Sequence, residues 1–468
     1  MEQNLVSFFE SNARQSAEKA AVVWEGGTLP WSELDRRASG FARHLAGQGI
    51  KAGDRVAILI PNRWSFVAAF MAVLKVGATP APLNPGLKNE ELKEILSDLR
   101  PKKVVDDVKV CDGEWLTRRF TESPGLILYT SGSTGRPKGA VFSHRSLIFA
   151  SRSWGGPILQ LTGEDVVLAA LPLAHSFGLN VALLAPLFFG ASVALIERFT
   201  PEAVFGAVKK LHVTVFPAVA TMFHRLLQSP LFSQADLSSL RVAVSGAAPC
   251  PWELCTDWHD KTGLRILCGY GSTEVPRPVS YFADDAREIP GASGQLIPGA
   301  KIRVVSEEGK MAQRGEIGEI WIHSPTAMEG YLDDPVETAA VLREGWFRTG
   351  DLGTVLPGGF VKIVGRKRER ILRGGFSILP QEVEAALCSH PAIAEAAVVG
   401  LPDPDVGEEV AAFVTLKPAA RAGAEELIVH CQQRLAHYKY PRRVTILSEL
   451  PKGPTGKILK SELAKERS

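Results

Sequence analysis

Apolar and polar positions fall into two regimes along the chain. From about residue 55 to 270, short apolar runs of strand length alternate with segments of helical period. Residues 56–60 read as a strand followed by an apolar helix over 65–76, and 126–129 as a strand leading into a loop of Gly, Ser and Thr. Residues 166–171 read as strand, 179–189 as an apolar helix and 191–196 as strand. Residues 201–211 then read as helix, 213–219 as strand and 221–228 as helix, and 241–245, 251–262 and 265–268 repeat strand, helix, strand. Strands apolar on both faces, separated by helices, predict a parallel α/β sheet whose ligands sit beyond the carboxyl ends of the strands.

Past about residue 300 the period shortens. Residues 301–305, 319–322 and 360–364 are short alternating strands between Gly-rich turns, which predicts an antiparallel, barrel-like piece. A basic run, Arg366-Lys367-Arg368-Glu369-Arg370, separates it from a last stretch. That stretch carries a helix at 380–387, strands at 394–400 and 410–416, and a helix at 425–436. The expected architecture is α/β: a large N-terminal domain of parallel α/β sheets plus a small barrel-like β piece, residues 1–367, and a small α+β domain, residues 368–468. No internal repeat or low-complexity segment interrupts it.

Composition narrows the classes of function. The chain has 468 residues, 45% hydrophobic, and a formal charge of only +2, which excludes a disordered polyelectrolyte and a global field for nucleic acid. The longest apolar stretch, 181–196, is divided by Pro186 and Gly190, so no membrane span is expected. Residues 1–15 carry acids and no apolar core, so no signal peptide is expected either. The six cysteines form no CxxC pair; Cys250, Cys255 and His259 come closest to a metal cluster but lack zinc-finger spacing. Scattered reduced thiols fit a cytoplasmic protein.

The strongest chemical signal is Tyr129-Thr130-Ser131-Gly132-Ser133-Thr134-Gly135-Arg136-Pro137-Lys138-Gly139. Small hydroxyl and glycine residues after a strand let backbone N–H groups approach phosphate oxygens, and Lys138 adds a point charge. The lysine is followed by glycine, so this is no Walker A loop. The segment resembles the phosphate loop of the adenylate-forming superfamily of acyl- and aryl-CoA synthetases, luciferases and nonribosomal adenylation domains. Further segments resemble that family in its order: Ser245-Gly246-Ala247-Ala248-Pro249, Gly269-Tyr270-Gly271-Ser272-Thr273-Glu274, Gly345 to Asp351, Gly365 to Ile371 with Gly374-Gly375, and Pro451 to Lys457.

The resemblance implies an ATP-dependent acid:CoA ligase. A carboxylate attacks the α-phosphorus of ATP, pyrophosphate leaves, and the thiol of coenzyme A then displaces AMP from the acyl-adenylate. Lys457, Thr273 and Glu274 are the implied catalytic residues, with Glu274 also holding Mg²⁺. Thr130 to Gly135, Lys138, Gly246, Ala247, Ala248, Pro249, Gly269, Tyr270, Gly271, Ser272, Asp351 and Arg366 are implied to bind ATP or AMP. His175, Phe177, Phe216 and Val275 are the implied acid pocket; small Ala247 and Gly269 would leave it depth for a medium aliphatic or aromatic acid. Gly374, Gly375, Tyr438 and Arg442 are implied to bind coenzyme A, and Arg368 is the implied pivot of a mobile C-terminal domain. Arg370 and Arg373 read as surface charge, and Arg277 as the one candidate cation for a second carboxylate. Where amino-acid-activating members carry an acid, this chain has His175-Ser176-Phe177, so an amino-acid substrate is not expected. Delivery of the acyl group to a carrier protein, or a nucleotide-binding module without chemistry, are the alternatives. The expected partners are a small carboxylic acid, ATP and coenzyme A, with no nucleic acid, in a monomer or homodimer.

Overall fold

The structure is a computed structural model, and it describes residues 4–109, 124–130, 136–285, 289–313, 315–453 and 458–465. By packing the chain divides into two compact units, Met1–Ile302 with Ile322–Phe347, and Arg303–Trp321 with Arg348–Ser468. Residues 303–321 and 348–367 therefore pack with the C-terminal residues, a division that differs from the one expected at 367/368.

The first unit is organised by a seven-stranded sheet in the order Ile266–Leu267, Val242–Ser245, Val215–Ala218, Val166–Ala169, Ser192–Leu195, Ala20–Trp24 and Gly27–Pro30. Every described neighbour pair is parallel except the final hairpin. Val166–Ala169, Ser192–Leu195, Val215–Ala218 and Val242–Ser245 are buried almost throughout, which is why they read as continuous apolar runs. A second parallel sheet joins Thr79–Pro82, Arg55–Ile58 and Lys103–Val105.

The crossover helices carry clear local signals. Helix Pro201–Leu211 starts where Thr200 Oγ1 accepts from Ala203 N at 3.1 Å, has proline at its first position, and ends on His212 in the left-handed region. Helix Trp64–Val76 is apolar on all sides and buried beyond its first residue, and Gly77 at φ 83° terminates it. The helix still carries Lys75, 1% exposed, whose Nζ lies 2.7 Å from Glu10 and 2.9 Å from Asp35; two carboxylates make that burial tolerable. The apolar stretch at 181–196 is a helix ending at Gly190, φ 74°, followed by strand Ser192–Leu195. No helix among the described residues is long and apolar enough to cross a membrane.

In the second unit, residues 351–355 and 361–366 pair antiparallel. Another sheet orders Phe376–Ile378, Ile371–Arg373, Gly407–Leu416 and Ile393–Asp403, with Arg443–Ile446 parallel to Gly407–Leu416. Helices Pro380–Cys388 and Ala424–Gln432 seal its core through Val383, Leu387, Leu427 and Cys431.

Candidate active site

Residues Ser131 to Gly135 and Lys457 lie outside the described residues, but the frame of the phosphate segment is clear. Strand Leu126–Thr130 pairs antiparallel with Lys138–Phe142, Thr130 opposite Lys138, so the segment bridges a hairpin. A third strand, Gly330–Tyr331, pairs with Lys138–Phe142 and sets Tyr331 opposite Ala140. Tyr129 donates to Asp98 Oδ2 at 2.6 Å, and burial, together with that carboxylate, raises its pKa.

This pairing helps assemble a polar group that no contiguous motif announces. Lys138 Nζ forms an ion pair with Glu337 and lies 5.3 Å from the centre of the Tyr331 ring. The Tyr331 hydroxyl donates to Glu274 Oε1 at 3.0 Å, and Met328 N donates to the Glu274 carbonyl at 2.8 Å. Burial and the adjacent Glu274 charge raise the Tyr331 pKa, so the phenol stays protonated and remains a donor. Thr273 and Glu274 sit on a tight turn: Ser272 N donates to Val275 O at 3.1 Å, and Val275 N to Ser272 Oγ at 3.3 Å. No motif in the sequence marks Tyr331 or Glu337; the pairing of Gly330–Tyr331, and the helix Pro335–Val341 that follows it, bring them to Lys138 and Glu274.

The turn after strand Val242–Ser245 holds Gly246, Ala247, Ala248 and Pro249, with Ala247 at φ 65°. A side chain on Gly246 would come within 3.0 Å of the Phe177 ring, so glycine lets this turn rest on Phe177. Phe177 is itself 5.8 Å from the Trp154 ring. His175 caps the short helix Ser176–Leu179, its Nδ1 accepting from Phe177 N at 3.3 Å, and is half-buried. Val275 is buried.

Three expectations for the pocket need correction. Phe216 is wholly buried in the core, its ring 5.3 Å from Phe223 and 6.5 Å from Trp258. The space beside Gly269 is filled: a Cβ there would lie 2.4 Å from the Arg277 guanidinium carbon. Arg277 is no pocket cation in waiting. It donates to Ser280 Oγ at 2.9 Å, Ser245 O at 2.6 Å and Leu267 O at 2.9 Å, stitching three strands together. Burial pushes its pKa down to about 9, which leaves it charged at neutral pH.

In the second unit, Asp351 and Arg366 are direct partners across the Trp346–Val355 and Val361–Arg366 pair, with Nε 3.0 Å from Oδ1. Asp351 is buried, and its N–H donates to Thr349 Oγ1 at 3.0 Å. Arg368 lies in the turn Lys367–Glu369. Gly374 and Gly375 form the hairpin tip between Ile371–Arg373 and Phe376–Ile378 at φ 54° and 81°, and a Cβ on either would meet open space. Tyr438 stacks on Phe376 at 4.3 Å, an aromatic partner that the sequence did not indicate. Arg442 lies 3.8 Å over the Tyr440 ring and donates to His437 O at 3.1 Å. Arg370 and Arg373 are not idle surface charge: Arg370 pairs with Glu307, and Arg373 makes a two-pronged contact with Glu409 at 2.7 and 3.0 Å.

Comparison with known proteins agrees with this frame. Residues 9–121 and 118–332 match the AMP-binding enzyme family model, and 382–457 match the AMP-binding enzyme C-terminal domain. A feruloyl-CoA synthase from an Amycolatopsis species is 35% identical over 98% of each chain. ATP-bound MatB from Rhodopseudomonas palustris superposes with a TM-score of 0.93 at 31% identity, over 99% of both chains. The anthranilate CoA ligase AuaEII, in complex with anthranoyl-AMP, gives a TM-score of 0.90 at 28% identity, over 98% of this chain and 96% of that one. With family matches over most of its length in both units, this chain belongs to the AMP-binding enzyme family.

Proposed function

We propose that the chain is an ATP-dependent acid:CoA ligase that activates a medium aliphatic or aromatic carboxylic acid as its acyl-adenylate and transfers the acyl group to coenzyme A. The observation that carries this reading is end-to-end similarity to enzymes named for acyl-CoA formation on aromatic acids. Adenylation needs positive charge and fixed donors around a developing anionic phosphorus centre. In this reading Thr130 to Gly135 and Lys138 cradle the distal phosphates, with Glu337 and the Tyr331 ring holding Lys138 in place. Gly246 to Pro249 and Gly269 to Ser272 flank the nucleotide, and Thr273 donates to the α-phosphate. Asp351 accepts from the ribose hydroxyls while Arg366 fixes its carboxylate. Lys457 bridges the acid and the α-phosphate, and residues 368–468 pivot at Arg368 between the two half-reactions.

Mg²⁺ fits the donors on hand. Glu274 offers a hard carboxylate at the tip of a tight turn, and Tyr331 engages Oε1. Glu274 would hold the ion, which when bound supplies charge neutralisation to the phosphates. Phe177 and Trp154 give the acid an aromatic wall, with His175 at its edge. Gly374, Gly375, Tyr438 and Arg442 receive coenzyme A, with Phe376 backing the Tyr438 ring.

The test is AMP and thioester formation by the purified chain with ATP and Mg²⁺ across aryl, aliphatic and dicarboxylic acids. The reading expects AMP only when both an acid and coenzyme A are present. Acid-dependent pyrophosphate exchange with no coenzyme A-dependent AMP for any acid would overturn the acceptor.

A further inference from the structure

Three thiols from different parts of the chain converge beneath the 245–250 and 268–271 segments. Cys250 follows the Gly246–Pro249 turn, Cys255 lies on helix Trp252–Thr262, and Cys268 joins strands Ile266–Leu267 and Gly269–Tyr270. Cys255 Sγ is 3.6 Å from Cys250 Sγ and 3.7 Å from Cys268 Sγ, and all three sulfurs lie within 4.8 Å of one another. His259, the ligand that sequence spacing pairs with Cys250 and Cys255, is not in the group; Cys268 takes its place.

The spacing and the charge both suit one metal ion. A tetrahedral Zn²⁺ with bonds of about 2.3 Å holds its sulfurs about 3.8 Å apart, close to the observed edges. Cys255 is 5% exposed and the other two residues are half-buried, so the triangle is set into the protein. A divalent ion bound by three thiolates carries a net single negative charge. Arg277, buried nearby with its described hydrogen bonds all to neutral oxygens, supplies the compensating positive charge.

We propose that Cys250, Cys255 and Cys268 form a three-thiolate site for a borderline-soft divalent ion, Zn²⁺ foremost, with a fourth position open to water. Binding forms three metal–sulfur bonds and releases the proton of each thiol. The ion would clamp the turn after Val242–Ser245 to the start of strand Gly269–Tyr270. Nothing in this site depends on the ligase reading, and its test needs no turnover.

The full chain, reduced and stripped of metal, is titrated with Co²⁺ and then with Zn²⁺. The expected result is a thiolate-to-cobalt charge-transfer band saturating at one equivalent and lost on addition of Zn²⁺. Cys255→Ser loses the band, whereas Cys388→Ser keeps it. Should Cys255→Ser fail to fold, wild-type protein decides the matter by alkylation mapped by mass spectrometry. One equivalent of Zn²⁺ then protects Cys250, Cys255 and Cys268 together and leaves Cys388 reactive. Absence of the band, its survival in folded Cys255→Ser, or no zinc protection of the three thiols would each overturn the site.

Discussion

Tyr331 donates its hydroxyl to Glu274 Oε1 at 3.0 Å, tying the strand Gly330–Tyr331 to the turn proposed to hold the metal. The centre of the same ring lies 5.3 Å from Lys138 Nζ, so one aromatic side chain adjoins both a cation and a carboxylate. A hydrogen bond to a charged group contributes about 1.5–3 kcal/mol, and losing an orienting partner of a metal ligand typically costs 10- to 100-fold. Tyr331→Phe should therefore lower kcat/KM for ATP by roughly tenfold, because the ring stays and only the donor goes. Steady-state kinetics beside a thermal melt would check it; unchanged kinetics at equal Tm would leave the bond merely structural.

Glu274→Gln tests the carboxylate itself. An amide is a poorer ligand for a hard divalent ion, so adenylation should fall by about a hundredfold or more while the fold persists. Wild-type protein should lose pyrophosphate release on chelation and regain it on adding Mg²⁺. Near-normal turnover by a folded Gln variant would take Glu274 out of the metal site.

Lys457 and the Gly374-Gly375 tip should separate the two half-reactions. Lys457→Ala should abolish most adenylation yet form thioester from supplied acyl-adenylate. Gly375→Val should do the reverse: its φ of 81° disfavours any side chain, and a branched one would crowd the open space above the tip. Half-reaction assays with synthetic acyl-adenylate read both. Equal damage to both steps in folded Lys457→Ala would defeat the idea of one domain serving two states.

His144 gives a pH prediction. It opens the helix His144–Ser153, is 3% exposed, and burial pulls its pKa from 6.5 down to about 4. Between those values the unfolded chain binds the proton that the folded one refuses, so stability falls as pH drops from 6.5 toward 4 and is full above 6.5. The loss amounts to about 3 kcal/mol at most for this group. Urea midpoints at pH 5 and pH 7.5 should differ less in His144→Gln than in wild type. An identical difference in the two proteins would assign the acid sensitivity to other groups.

Much of the fold was legible because its signals are local. The buried strand runs, the break of the apolar stretch at Gly190, and the helices at 201–211 and 380–387 each depend on a few neighbouring residues. The motifs bearing the family resemblance were legible for the same reason: they are contiguous. What sequence could not settle is which side of a strand or turn finds which distant partner. Phe216 and Phe177 look alike as apolar aromatics, yet Phe216 is sunk among Phe223 and Trp258 while Phe177 carries the Gly246 turn.

The sequence by itself determined the alternation of strands and helices, the order of the motifs and the chemistry of adenylation they imply. Tertiary structure decided the rest: that Arg277 fills the space beside Gly269, that Tyr331 reaches Glu274, and that Cys268 rather than His259 completes the thiol triangle. The physical reason is common to all three. Propensity and capping act over a turn or two of chain, whereas these contacts join residues from 8 to 57 positions apart, through strand pairing and burial that no local pattern encodes.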